Sequence, residues 1–343
     1  MTGGSHGPAA EDGTTGTPGT FRSTDTAGTS NTAGTTPYTA QDRTVTAPAD
    51  APTSVDAATD AVPPRVRELQ GRELAAALRT DAAERAAELA ARGTPPHLAV
   101  VTATADDSSA WYVRSIARSA EKAGLVCTVV DLGPEAPAPA IRARLRELSA
   151  EPGVHGIILQ TPLPTGARLE DLASAIDPVK DVDGANPLSL GRLAAGLPAF
   201  APATAEAVIA LLDHHKIPLA GRHAVVVGRS TVVGKPAAHL LLDRNATVTV
   251  CHSRTTDLPA LTRTADVLVA AVGRPRLITP DDVSPGTVII DVGTNVTEDG
   301  TLVGDVDPAA GARSGAITPV PGGVGPVTTA LLLQHTVRAA LTL

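Results

Sequence analysis

Two hydrophobic patterns alternate along most of this chain: short unbroken apolar runs, and longer stretches in which apolar residues recur at helical spacing. The runs read as strands buried on both faces, and the periodic stretches as helices packed by one face. From Val66 to Arg92 an Ala-rich stretch has helical spacing and is ended by Gly93, and His97 to Thr102 follows as a strand. A helix from Ser109 to Ala123, stopped at Gly124, leads to a strand over Leu125 to Asp131. A helix over Arg142 to Ser149 leads to a strand from Gly156 to Gln160, where Pro162-Leu163-Pro164 forces a turn. This alternation predicts an α/β layered domain. Asp181, Asp183 and Gly184 then fall in a loop before Leu193, and a helix over Ala205 to Asp213 leads into a second alternating block.

The second block opens with the stretch AVVVGRSTVVGKPAAHLLLDRNATVTVCHSR, from Ala224 to Arg254. Ala224 to Val227 is a buried strand ended by Gly228, Gly234-Lys235-Pro236 open a helix, and Thr247 to Cys251 is the next strand. Such a βαβ unit leaves a crevice at the strand ends, where a phosphate can sit against the helix N-terminus. The spacing departs from GxGxxG: Gly228 and Gly234 enclose Arg229 and Ser230, and a plain structural turn explains the glycines as well. The end of the second strand is more informative. An NAD site carries an acidic residue there to accept from the ribose hydroxyls, whereas this chain has His252, Ser253 and Arg254. A hydroxyl and a cation pair with a 2′-phosphate, so NADP is the expected cofactor. Strands at Val267 to Val272 and Val288 to Val292 follow, each ended by glycine, and the chain closes on a glycine loop, Pro321 to Pro326, feeding a helix.

Composition narrows the class. Residues 1–62 are rich in Thr, Gly, Ala, Ser and Pro with almost no large apolar side chain, and are expected to be a disordered tail. The remainder, with an apolar fraction of 43% over the whole chain but only two Phe, two Tyr and one Trp, must build an aliphatic core. A formal charge of -8 and the lack of a long basic block argue against a nucleic-acid partner. No apolar run reaches membrane-spanning length, and the N-terminus lacks the features of a signal peptide. Cys127 and Cys251 cannot make a disulfide framework; they read as small buried hydrophobes, which fits a cytoplasmic location.

Four features outside the scaffold could carry chemistry. Trp111 and Tyr112 lie together near a helix start, Gln160 ends a buried strand, Asp181 and Asp183 share one loop, and Pro321 to Pro326 could let backbone approach a flat ligand. Each has a plain reading as well: core packing for the aromatics, a capped turn for Gln160, a solvated turn for the carboxylates, and turn geometry for the glycines.

Taken in order, the segments IILQTPLP from Ile157, KDVDGANPLSLGRL from Lys180, GRSTVVGKP from Gly228, TVCHSRT from Thr249, DVGTN from Asp291 and TPVPGGVGP from Thr318 resemble the methylenetetrahydrofolate dehydrogenase/cyclohydrolase family. The resemblance runs from Leu69 to the end of the chain. It implies a two-lobed α/β protein: a Rossmann-type, doubly wound NADP-binding domain over 204–323, and an α/β substrate domain over 63–203 completed by 324–343. It also implies oxidation of 5,10-methylenetetrahydrofolate with NADP, hydrolysis of the methenyl product, a homodimer through the cofactor domains, and no metal. Residue by residue it places Tyr112 against the folate ring, Gln160 in the catalytic cluster and Asp183 on the pterin. It places Pro321, Gly322 and Gly323 beside substrate and nicotinamide. Arg229 and Ser253 match cofactor-phosphate contacts, with Arg254 as a helper, in a loop framed by Gly228, Ser230 and Gly234.

One position breaks the pattern. The family motif is Ser, two residues, Tyr-Val, two residues, Lys; Ser109, Tyr112 and Val113 are in register, but Ile116 stands where the lysine belongs. Dehydrogenation needs no proton moved by the protein. Hydrolysis needs an activated water and a protonated ring nitrogen, and a positioned acid or base contributes roughly 10² to 10⁴ in rate. The expectation is a dehydrogenase whose cyclohydrolase activity is lost or weakened. Two other readings are an NADPH-dependent imine or iminium reductase of a specialised metabolite, which Ile116 and the altered segment Ala201 to Ala207 favour, and a catalytically silent folate or NADP binder.

Overall fold

The computed structural model describes residues 66–343 other than Glu298, so the expectation for residues 1–62 lies outside the described residues. After a two-residue strand β1 (Arg67–Glu68), helix α1 (Arg72–Ala91) leads to β2 (His97–Thr102), α2 (Asp107–Lys122), β3 (Val126–Asp131), α3 (Ala138–Ala150) and β4 (Gly156–Leu159). These strands form a parallel three-stranded sheet in the order β3-β2-β4. Its central strand β2 is apolar and buried on both faces over Leu98 to Val101, the burial that an unbroken run predicts. Helix α2 starts where the Asp106 carboxylate accepts from the Ser109 N–H at 2.7 Å, and it gives way to Gly124 at φ +75.

Short helices α4 (Leu169–Ala173) and α5 (Pro187–Ala194) flank the Asp181–Asp183 loop, and α6 (Ala203–His214) leads into the second lobe. There β5 (His223–Val227), α7 (Gly234–Asp243), β6 (Thr247–Cys251), α8 (Leu258–Thr262), β7 (Val267–Ala270) and β8 (Val288–Asp291) alternate as the apolar runs foretell. A small hairpin, β9 (Asn295–Val296) with β10 (Leu302–Val303), then α9 (Pro308–Arg313), β11 (Ala316–Ile317) and the long α10 (Val324–Thr342) complete the chain. The large sheet is parallel throughout, in the order β1-β11-β8-β7-β5-β6. The chain passes from β5 outward to β6 and then back to β7 on the other side. The strand order therefore reverses between β5 and β7, and the crevice beyond their C-terminal ends is where a doubly wound sheet takes its ligand.

Helix α10 returns to the first lobe, packing on α1 and touching α2, β2 and β4. Ala75, Ala82 and Ala86 of α1 are fully buried, and these small side chains let the two helix axes come close. The approach is closest at the start of α1: a Cβ on Gly71 would lie 2.0 Å from the carbonyl oxygen of Gly323, so only glycine fits there.

Several expectations need correction. The helical stretch does not begin at Val66: Arg67 and Glu68 instead add a strand to the edge of the large sheet, and the helix starts at Arg72. Residues before Leu193 are helical from Pro187, with the Asn186 side chain accepting from the Leu188 N–H at 2.7 Å. Trp111 is 63% exposed, so the core-packing reading fails for it, while Tyr112 is half-buried against the main core. Cys251 is buried as expected, but Cys127 is only partly so; both are free thiols.

Candidate active site

The cofactor-side residues converge because β5 and β6 are neighbours in register. Val227 pairs with Cys251, so Arg229 and Ser253, each two residues further on, emerge side by side at the C-terminal edge of the sheet. Arg229, Ser253 and Arg254 are exposed, and neither arginine forms an ion pair among the described residues. Gly228 has φ +131, and a Cβ there would meet the Ala271 carbonyl oxygen at 2.1 Å; one on Gly234 would meet the Gly228 carbonyl oxygen at 2.2 Å. The turn is thus drawn tight against β7, with the N-terminus of α7 behind it. Ser230 has a different task from its neighbours: its hydroxyl accepts from the Val233 N–H at 3.2 Å, holding the loop's own shape. Two unpartnered guanidinium groups, a hydroxyl and a helix N-terminus suit a dinucleotide bearing an extra phosphate.

On the substrate side, α2, β4, the Asp181–Asp183 loop and α10 meet. Gln160 at the end of β4 donates from Nε2 to the Thr161 carbonyl at 2.7 Å, and the same carbonyl accepts from the Ser109 hydroxyl at 3.0 Å. That shared acceptor ties the first turn of α2, and so Tyr112, to Gln160. The Tyr112 hydroxyl faces Thr329 of α10 and lies close enough to Asp183 to feel its charge. Burial and that carboxylate push the phenol up to about 12. Tyr112 therefore stays a neutral donor over the whole physiological range.

The two carboxylates of the loop have opposite roles. Asp181 accepts from the Asn186 N–H at 2.8 Å, the Ser189 hydroxyl at 2.9 Å and the Ala185 N–H at 3.0 Å, so its side chain folds the loop. Asp183 accepts no hydrogen bond from a described residue, and burial together with the Asp181 charge pushes it up to about 7. Gly184, at φ +63 with the Pro202 nitrogen 2.5 Å from where its Cβ would stand, fixes the turn that presents Asp183. Gly322 and Gly323 are buried where the Gly71 N–H donates to the Gly322 carbonyl at 2.9 Å, and Pro321 beside them is exposed. Tyr112 and Asp183 thus lie together beside Thr329 of α10, and Gly322 and Gly323 immediately precede that helix.

Ile116 lies one turn beyond Tyr112 on α2 and is fully buried in the main core cluster. Lys180, the lysine of the neighbouring motif, does not take its place: its Nζ donates to the Glu151 carbonyl at 2.7 Å.

The chain matches the family profile for the catalytic domain of tetrahydrofolate dehydrogenase/cyclohydrolase over residues 69–183, and the profile for its NAD(P)-binding domain over residues 202–343. The chain belongs to the tetrahydrofolate dehydrogenase/cyclohydrolase family. It is 68% identical over 273 residues to bifunctional protein FolD 1 of Saccharopolyspora erythraea, covering 79% of this chain and 93% of that protein. It is 66% identical over 275 residues to bifunctional protein FolD 1 of Rhodococcus jostii, covering 80% of this chain and 93% of that one. Among solved structures, the bifunctional FolD enzyme of Campylobacter jejuni aligns with a TM-score of 0.78 at 38% identity, covering 81% of this chain and 99% of that one. The Trypanosoma brucei FolD, complexed with NADP cofactor and an inhibitor, aligns at 0.77 and 34% identity over 81% of this chain and 98% of its own. The βαβ unit falls inside the stretch that the NAD(P)-binding profile matches.

Sequence reading missed one neighbour of this cluster: Thr329, which faces the Tyr112 hydroxyl, lies in a helix with no signal to single it out.

Proposed function

We propose that this protein is an NADP-dependent 5,10-methylenetetrahydrofolate dehydrogenase whose methenyltetrahydrofolate cyclohydrolase activity is lost or severely weakened. The observation that carries the reading is the contrast across one turn of α2. Tyr112 faces the cleft beside Asp183 and Thr329, while Ile116, fully buried, fills the family's lysine position with an aliphatic side chain. Bound NADP supplies the hydride acceptor. Arg229, Ser253 and Arg254 hold its 2′-phosphate side, Gly228 and Gly234 let the backbone approach its diphosphate, and the loop at Pro321, Gly322 and Gly323 borders the nicotinamide. Tyr112 stacks on the folate ring, Asp183 accepts from the pterin, and Gln160 orients the reacting end. Asp183, the one substrate-side group raised to about 7, is assigned here to the pterin, and no amine stands at the family's lysine position to move protons to water or a folate nitrogen, transfers on which hydrolysis depends.

Purified protein supplied with methylenetetrahydrofolate and either NADP or NAD tests the proposal when NADPH and methenyl product are followed at separate wavelengths. Methenyltetrahydrofolate accumulating in step with NADPH is the expected result. Prompt conversion to formyltetrahydrofolate removes the hydrolase half of the proposal, and no turnover with either cofactor removes the folate reading.

A further inference from the structure

Four strands of the large sheet end in one row. Cys251 of β6 pairs with Val227 of β5, Val227 with Ala270 of β7, and Ala270 with Asp291 of β8. Among the described residues no strand lies beyond β6. A dinucleotide whose 2′-phosphate sits at Arg229 and Ser253, past the ends of β5 and β6, therefore extends its nicotinamide half the other way, over the segments that leave β7 and β8. Those segments are Val272-Gly273-Arg274 and Val292-Gly293-Thr294.

The backbone donors of the first segment already have a partner. The N–H groups of three consecutive residues converge on the buried side chain of Asp305, Val272 at 2.6 Å and Gly273 at 3.0 Å on Oδ2, and Arg274 at 2.9 Å on Oδ1. Asn295 Nδ2, from the small hairpin, donates to the same Oδ1 at 2.9 Å, so each carboxylate oxygen accepts from two donors. Asp305 is clamped in turn. The buried Asp291 carboxylate accepts from the Asp305 N–H at 2.9 Å, the Val306 N–H at 3.0 Å and the Gly293 N–H at 2.9 Å. The two side chains interlock through glycines: a Cβ on Gly304 would lie 1.8 Å from Asp291 Oδ2, and one on Gly293 would lie 2.5 Å from Asp305 Oδ1.

We infer that Asp305 is a positioning residue for the nicotinamide half of NADP: it fixes the Val272-Gly273-Arg274 segment in the free enzyme, and Asp291 and Asn295 fix Asp305. The inference rests on the reading of Arg229 and Ser253 as the 2′-phosphate contacts. A segment whose three amides are already held loses little freedom when the cofactor binds. Hydride transfer is sensitive to placement, and an error of about 1 Å can cost about 10²-fold in rate. The contribution of Asp305 therefore falls on kcat and on the order of the free enzyme, and the 2′-phosphate end is untouched by it.

Asp305→Asn keeps the shape of the side chain, but whichever way the amide lies, two of the four donors lose their acceptor. The full-length enzyme and this variant are to be followed for kcat per active site. Sites are counted by titration with adenosine 2′,5′-bisphosphate, which carries the 2′-phosphate end of NADP and no nicotinamide. The expected result is a kcat lowered about tenfold or more while the bisphosphate dissociation constant holds within about twofold. A wild-type kcat per site overturns the inference, and so does a bisphosphate affinity that falls as far as kcat, the mark of general damage to the domain. Should the variant fail to fold, amide exchange in wild type decides. Val272, Gly273 and Arg274 amides that are protected before NADP is added, and little changed by it, support the inference; amides that exchange freely until NADP binds sink it. Arg229→Ala separates the two levels. Bisphosphate affinity that survives this change removes the reading of the 2′-phosphate contacts, whereas affinity lost there, beside a wild-type kcat in Asp305→Asn, removes the present inference alone.

Discussion

The Thr231 hydroxyl donates to Glu170 Oε1 at 2.9 Å, joining the glycine turn of the cofactor domain to α4 of the catalytic domain across the cleft. The contact links a turn of one lobe to a helix of the other. Thr231→Val removes the donor without altering the backbone of the turn. A hydrogen bond to a charged group contributes about 1.5 to 3 kcal/mol, less when partly exposed as this one is. The expected outcome is a fall in kcat/KM of up to about tenfold with little change in Tm, and faster amide exchange in α4 and the turn. Exchange rates and kinetics equal to wild type would mean that the contact holds nothing.

Restoring the family's lysine is the direct test of the position one turn beyond Tyr112. Ile116 has no exposed surface, so Ile116→Lys puts an ammonium into an apolar site and destabilises the fold by several kcal/mol unless the amine reaches the cleft. Cyclohydrolase turnover is expected to rise by about 10² to 10⁴ in the fraction that folds, with a lowered Tm by calorimetry. A folded variant with unchanged hydrolysis would show that the isoleucine does not limit that reaction.

In the proposed function Arg229 and Ser253, at the ends of paired strands, set cofactor choice. Under that proposal Ser253→Asp sets a carboxylate beside the 2′-phosphate, and like charges at that distance repel. NADP KM is expected to rise by about tenfold or more, corresponding to roughly 1.4 kcal/mol, while NAD KM falls or holds. Parallel titrations with the two cofactors check this.

Asp183 places a function on the pH dependence of stability. Burial and Asp181 raise it from 3.8 to about 7 in the folded chain. Between those two values the folded state holds more protons than the unfolded one, so stability falls as pH rises through that window and is flat above it. Asp183→Asn cannot lose a proton and escapes the decline. The Tm difference between variant and wild type is expected to grow in favour of the variant from about pH 4 to 7 and then level off. A difference independent of pH would contradict the assignment.

Among the described residues the outer edge of β6 carries no neighbouring strand in the large sheet, and Val250 and Leu242 beside it are 40% and 52% exposed. A homodimer built on this edge is expected to be split to a monomer by Val250→Lys. Light scattering after gel filtration distinguishes a monomeric variant from one that keeps the wild-type mass.

The amino-acid sequence by itself determined the buried apolar strands, the glycine turn and the family. An apolar run such as Val225 to Val227 or Leu98 to Val101 can only be satisfied inside a sheet covered on both faces, and Gly228 is forced by a close backbone approach, so local pattern and tertiary demand coincide there. The gathering of Arg229 with Ser253 was also implicit, because neighbouring parallel strands in a βαβ unit end together. The tertiary structure alone decided the rest. Arg67 and Glu68 form a strand because the edge of β11 offers them hydrogen bonds, with no apolar alternation to announce it. Tyr112 and Ile116 share one face of one helix, yet in the folded chain the first stays partly exposed and the second is fully buried in the core. The pairs Thr231–Glu170 and His335–Glu206 join residues far apart in the chain, and no period or spacing records a contact between elements that meet only when the lobes are folded together.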